Sequence, residues 1–448
     1  MLSADVAAAQ VRSHVTISIS DATEVKVAAE LSEPMRSWSF RNAYAGVLGI
    51  AERVDDFRAV TSSGQDARAK KIATGEFRSE LDATSITYKV KVSEVTAANV
   101  SHVSWLTSDY GVLMSADLLP HDFTNLSIDF ELPAGWQLGT SNTSPDEKSV
   151  FFVGRSLRKT SNTIEQMPLD LVVDGSWKFK DNDTLKVAGK ILKKYRELTG
   201  YKLPGRSTII VAPLPVAVGS VKWRAETRGS TVLLLIDPGA SFNNWVGQLG
   251  VIFTHELLHL WVPNSLRLDG DYDWFFEGFT LYLALRTALE LKIINFKESL
   301  DTLARVYDSY LAYPDDQSLI DASERRWTTP GSFVYDKGML AAFLYDLQLR
   351  TESGGKITLA DKYRDLFNRP AADDVNGNVV IIGVLGSSPA LADFTKSYIE
   401  NSTRLELERL LPAYGLTLDS SGQTSQLKVS RELSADQKRL LRSLGYRD

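Results

Sequence analysis

The sequence predicts a multidomain α+β chain: an N-terminal antiparallel β domain, a mixed middle and a helical C-terminal part. Length is the first reason. At 448 residues the chain exceeds what one ordinary core organises, so about two or three domains are expected. Periodicity is the second, with two-residue alternation up to Val153 and mostly helical spacing from Phe242 onward. Thirdly, a polar stretch over residues 155–174 lies between these regimes and reads as a linker.

The β signal starts at Val15, Ile17 and Ile19, each separated by a polar residue. Val25, Val27 and Ala29 repeat it, as do Ile86, Tyr88, Val90 and Val92, then Leu126, Ile128, Phe130 and Leu132. Such runs, broken by turns such as Pro133-Ala134-Gly135-Trp136, fit an antiparallel sandwich or saddle with one buried face. Residues 184–198 read as an amphipathic helix, with Leu185, Ala188, Ile191, Leu192, Tyr195 and Leu198 on one face. Asp183 is its expected N-cap and Gly200 its stop. Residues 207–212 and 231–236 are β-branched runs that predict strands. Helices are expected over 242–262, 274–291, 296–313, 338–350 and 391–401. The apolar run at 379–385 is too short to span a membrane and reads as a buried strand or helix segment.

Composition narrows the function classes. A net charge of −6 without a long basic run argues against nucleic acid as the main partner. The absence of cysteine excludes disulfides, thiolate nucleophiles and Cys-held zinc, leaving His and carboxylate for any metal. Met1 to Arg12 has no apolar core of a leader, although Ala7-Ala8-Ala9-Gln10 resembles the small-residue end of one. A trimmed leader implies export to a periplasm; chance resemblance leaves the cytoplasm.

The chemistry concentrates in Thr254-His255-Glu256-Leu257-Leu258-His259-Leu260-Trp261. Histidines at i and i+4 share one helical face, so His255 and His259 can reach one metal ion. Glu256 lies one residue round, where a general base takes a proton from a metal-activated water. Glu277 follows His259 by 18 positions, on a second expected helix, and would complete a His-His-Glu zinc set. The plainer alternatives are a pair of core-edge histidines and a helix N-terminal glutamate. Only five histidines occur, yet two have this spacing, within an apolar run where an unpaired glutamate is costly. Asp273 and Thr280 are nearby candidates to orient the ligands. His14, His102 and His121 have no partner at ligand spacing and are expected to be ordinary histidines.

These motifs resemble the gluzincin metallopeptidases, in which His-Glu-x-x-His precedes a distant Trp-x-x-Glu-Gly-Phe, here Trp274 to Phe279. Within that group the chain is similar to the glycyl aminopeptidases. Tyr335-Asp336-Lys337-Gly338 looks like their Tyr-x-Lys-Gly helix start, residues 132–136 like a turn of their β domain, and residues 394–416 like their closing helical segment. The resemblance implies a thermolysin-like catalytic domain at 161–350, between a β domain at 1–160 and a helical domain at 351–448. It implies one Zn2+, peptide substrates, Glu256 as base and Tyr335 as the group facing the scissile carbonyl. It also implies an aminopeptidase acting on short peptides.

Departures from the family pattern bear on the substrate. The family's Gly-Gly-x-Glu-His stretch is here Trp223-Arg224-Ala225-Glu226-Thr227. Glu226 keeps the position that receives a substrate's α-ammonium, whereas Trp223 and Arg224 replace glycines and reshape the pocket. Arg224 and Arg228 could instead attract an acidic substrate. An endopeptidase or carboxypeptidase-like enzyme is therefore an alternative, and a catalytically silent zinc- or peptide-binding protein a further one. The spacing from His259 to Glu277 is nearer the aminopeptidase N type. The residues after the helical segment are too few for the PDZ module common in the family, which is expected to be absent.

Overall fold

Alternation builds the first third of the chain. In the computed structural model, which describes residues 13–92, 95–121, 123, 125–140, 145–215, 222–239, 242–327, 332–370 and 375–447, Val15, Ile17 and Ile19 of the strand Ser13–Ile19 are buried. The leader-like residues 7–10 lie outside the described residues. Sheet order runs Leu126–Glu131, Ser13–Ile19, Glu24–Ser39, Glu76–Lys91, Val54–Val60, with Lys70–Ala73 also paired to Glu76–Lys91. Register follows the apolar set: Val15 faces Ala29 and Ile17 faces Val27, so a slip by one would expose the whole row. The sheet is not wholly antiparallel as expected. Ser13–Ile19 pairs in parallel with Leu126–Glu131, because the chain returns to it by a long crossover instead of a hairpin. At the end of Leu126–Glu131 the expected turn closes, with Trp136 N–H donating to the Pro133 carbonyl at 3.0 Å and Gly135 at φ 81°.

Residues 155–174 are not a linker. They form the strands Arg158–Ile164 and Met167–Val173, joined by Glu165 and Gln166 at φ 49° and 65°, which suits a two-residue hairpin turn. The polarity belongs to Arg158–Ile164, an edge strand, whereas Leu169, Leu171, Val172 and Val173 of its neighbour are buried. That sheet continues through Ser207–Pro213 and Thr231–Ile236, which are parallel, and ends at the edge strand Trp223–Arg228. The two parallel strands are near-continuous apolar runs, as burial on both faces requires.

The chain divides into two compact units. One comprises Met1–Ser161, Asp170–Ser176 and Thr208–Pro238, and the other Asn162–Leu169, Trp177–Ser207 and Gly239–Asp448. The first holds two apolar clusters, one around Val27, Trp38 and Tyr88, the other around Trp105, Phe152, Ile210 and Leu233.

The second unit is mainly helical. Asp181–Thr199 stops at Gly200, φ 70°, as expected, but its N-cap is Lys180, not Asp183. Asp181 and Asp183 instead fill the first turn, where the helix dipole favours negative charge. Phe242–Leu258 carries His255 and Glu256 and ends just before His259, short of the expected 262, and Trp274–Phe279 is a π-helical turn continuing into Thr280–Glu290. Phe296–Leu311 opens with a capping box between Asn295 and Glu298. Residues 379–385 are helical, within Gly377–Leu385, burying Ile381 and Leu385. Pro389–Thr395 continues into a π turn, Lys396–Glu400. No helix among the described residues is long and apolar enough to cross a membrane.

Phe333–Glu352 begins earlier than periodicity indicates, because its first turn carries polar residues with their own buried partners. Asp336 accepts from Ser309 and Ser332 at 2.7 and 2.8 Å, and Lys337 donates to Asp316 and to the Gln317 carbonyl. This helix meets the π turn backbone to backbone. A Cβ on Gly278 would lie 2.5 Å from Gly338 Cα, and one on Gly338 would lie 2.9 Å from the Trp274 carbonyl oxygen. Alanine at either position must push two buried helices apart, so each of Gly278→Ala and Gly338→Ala is expected to cost about 2–3 kcal/mol. Urea denaturation reads this directly, and a midpoint like that of the parent chain would refute the close crossing.

Candidate active site

The last turn of Phe242–Leu258 and the residue beyond it bring the two imidazoles together. His255 and His259 place their Nε2 atoms 3.0 Å apart, and Oε2 of Glu277 lies 3.2 and 3.3 Å from them. A tetrahedral zinc with bonds of about 2.0–2.1 Å has ligand atoms about 3.3–3.4 Å apart, so the three atoms have nearly the spacing such an ion needs. All three side chains are buried, and among the described residues this is the group of His, Asp and Glu able to hold a metal. Partners on the far side orient the rings. His259 Nδ1 donates to the Val262 carbonyl at 2.8 Å, which turns its Nε2 toward the cluster. His255 Nδ1 lies 3.4 Å from Thr280 Oγ1, whose hydroxyl donates to the Glu277 carbonyl at 2.9 Å.

Charge is closely balanced here. Burial alone would raise the Glu277 carboxyl, but Arg326 and then His259 hold it well below the usual range. Burial also disfavours a charged His259, yet Glu277 overcomes this and raises it to about 9. Burial, then the positive His259, lowers His255 to about 4. Of the two rings, His259 is therefore the one that holds a proton near neutral pH.

Around the triad, Glu256 is buried beside His255, and Tyr335 lies in the first turn of Phe333–Glu352. Burial, then the negative Glu277, pushes the Tyr335 phenol well up, so it stays protonated at neutral pH. Arg326 joins the parts: Nη2 donates to Glu277 Oε1 at 2.8 Å and to the Tyr335 oxygen, while Nη1 donates to Asp273. Asp273 and Thr280 thus both support the cluster, Asp273 through Arg326.

Glu226, Trp223 and Arg224 lie in the other compact unit, on the edge strand Trp223–Arg228. The Glu226 side chain is 12% exposed, not solvated, and both oxygens are engaged. Oε1 accepts from Tyr44 at 2.9 Å and from Arg228 Nε at 2.8 Å, and His102 Nδ1 donates to Oε2. Burial works against the charge, but Arg228 and His102 keep this carboxyl below its ordinary value. Spacing in the sequence gives no sign of this bond between His102 and Glu226. The Arg224 guanidinium donates to the Ala97 and Trp223 carbonyls at 2.8 and 3.0 Å, and Trp223 is half-buried.

No protein-family model matches the chain, and no curated protein is significantly similar to it. Solved structures do match. An aminopeptidase N family protein from Idiomarina loihiensis superposes with a TM-score of 0.76 at 17% identity, over 95% of this chain and 82% of its own. An M1 zinc metallopeptidase from Deinococcus radiodurans gives 0.57 at 14% identity, over 88% of this chain and 95% of its own. The chain has the M1 metallopeptidase fold. A mutant of the Deinococcus enzyme bound to a Tyr-Ser-Ala substrate matches at 0.56 and 12% identity, over the same shares of each chain. Within this M1 fold, sequence reasoning missed Arg326, His102, Tyr44 and the pairing of Arg228. Arg326 stands in no periodic pattern; the one local signal is a cation next to Trp327. The others come from distant segments and carry no spacing rule.

The proton held by His259 has a measurable consequence. Zinc titration near pH 7 is expected to release about one proton per ion bound, seen as a buffer-dependent calorimetric heat. Binding heats that are the same in buffers of different ionisation enthalpy would contradict the protonated triad.

Proposed function

We propose that this chain is a zinc-dependent metallopeptidase, with His255, His259 and Glu277 as ligands to one Zn2+. The observation that carries this is the spacing of three buried ligand atoms, 3.0–3.3 Å apart. Zinc bound there supplies a water acidified toward neutrality and a positive charge beside the developing oxyanion. Glu256 is the general base that takes a proton from the attacking water and then delivers it to the departing amine. Tyr335, kept protonated by its surroundings, donates to the carbonyl oxygen as negative charge grows on it.

Among peptidases we favour an aminopeptidase acting on short peptides, in line with the shared fold and with the resemblance to glycyl aminopeptidases. Glu226 is then the candidate for the substrate ammonium, with Trp223 and Arg224 shaping the pocket for the first side chain. One observation favours a second reading, an endopeptidase or carboxypeptidase-like enzyme: Tyr44, Arg228 and His102 already engage both oxygens of Glu226. We also propose the division into domains at 1–160, 161–350 and 351–448.

Hydrolysis of a Gly- or Ala-initiated peptide with its N-terminus free, then acetylated, separates these readings. Cleavage of the free form alone supports the aminopeptidase, cleavage of both supports the second reading, and cleavage of neither by zinc-loaded protein defeats the peptidase proposal. Glu256→Gln is expected to lower kcat by about 10²–10⁴-fold while zinc content stays the same. Full turnover in that variant would remove Glu256 from the mechanism.

A further inference from the structure

Arg326 makes more specific bonds than neutralising one carboxylate requires. Its side chain is 12% exposed, and its central carbon lies 4.4 Å from the Trp327 ring centroid and 5.2 Å from that of Tyr335. One nitrogen, Nη2, reaches Oε1 of Glu277 and the oxygen of Tyr335 together. Those residues come from different helical elements, Trp274–Phe279 and Phe333–Glu352. Donation to Oε1 leaves Oε2 turned toward His255 and His259. Donation to the phenol oxygen fixes the direction of the hydroxyl and polarises its O–H.

Charge alone does not account for this placement. A positive group beside a cation site repels the ion. Here Asp273 engages the guanidinium on its other nitrogen, which offsets that charge and leaves the direction of the bonds. A planar fork can present fixed N–H vectors to three acceptors, whereas a lysine ammonium presents a freely rotating point charge.

We infer that Arg326 is a positioning residue: it presents one oxygen of Glu277 to the metal and sets the Tyr335 hydroxyl for the carbonyl oxygen. The inference rests on the proposed peptidase reading and deepens it. Arg326 touches neither substrate nor metal in this role; it acts through Glu277 and Tyr335.

The test compares the full-length parent chain with Arg326→Lys, Arg326→Met and Tyr335→Phe, using peptide kinetics with zinc and visible absorption with cobalt(II). Arg326→Lys, which keeps the charge and loses the fork, is expected to lower kcat about 100-fold with KM within about 3-fold. Its cobalt d–d bands are expected to shift relative to the parent, reporting a changed ligand set. In a Tyr335→Phe background, Arg326→Met should cost much less than it does alone, because the two act as a unit.

An Arg326→Lys chain with parental kcat and parental cobalt bands would overturn the inference, as would full additivity of Arg326→Met with Tyr335→Phe. A parent that binds cobalt but cleaves no peptide refutes the peptidase reading instead. In that case the cobalt bands of Arg326→Lys decide alone, unchanged bands counting against Arg326. Should the Arg326 variants fail to fold by circular dichroism, Asp273→Ala removes the acceptor of Nη1 while retaining the guanidinium. It is then read for the same kcat loss and band shift, and parental values in both would overturn the inference.

Discussion

A buried carboxylate is several kcal/mol unfavourable unless positive charge meets it, and Glu277 is met on both sides. Arg326 approaches Oε1, and the two histidines approach Oε2. Everything else at the candidate centre follows from this balance. The same negative charge raises His259, adds to the burial that keeps the Tyr335 phenol protonated, and pairs with Arg326. A divalent ion among the three groups would meet the carboxylate's charge more fully than one proton does.

Backbone contact converts that balance into geometry. Gly278 and Gly338 let the π turn and the helix Phe333–Glu352 touch, so a ligand and a phenol from distant parts of the chain share one guanidinium. The π turn itself is a local departure from regular helix of the kind that recurs at functional sites, and it includes Glu277. The start of Phe333–Glu352 is also anchored beside Tyr335, through Asp336 to two serines and Lys337 to Asp316. Orientation at Tyr335 is thus supported from several directions.

The Glu226 cluster obeys the same physics with a different outcome. Its carboxylate is also buried, but Arg228, His102 and Tyr44 satisfy it within its own unit. An incoming ammonium would have to displace one of these partners, a cost that separates the two peptidase readings on physical grounds.

Legible in the sequence by itself were the grouping of His255, His259 and Glu277, the alternation of Ser13–Ile19 and of the start of Glu24–Ser39, and most of the long helices. Apart from Glu277, which a second helical element must bring to the histidines, each is a local pattern set by periods of two or 3.6 residues. Tertiary structure alone decided the rest. The parallel pairing of Ser13–Ile19 with Leu126–Glu131, the edge hairpin at 158–173, the Gly278–Gly338 crossing and the partners of Glu226 and Glu277 join segments far apart in the chain. No spacing rule links Arg326 to Asp273 or His102 to Glu226. Those pairs exist because buried charge must find its opposite wherever the fold brings one near.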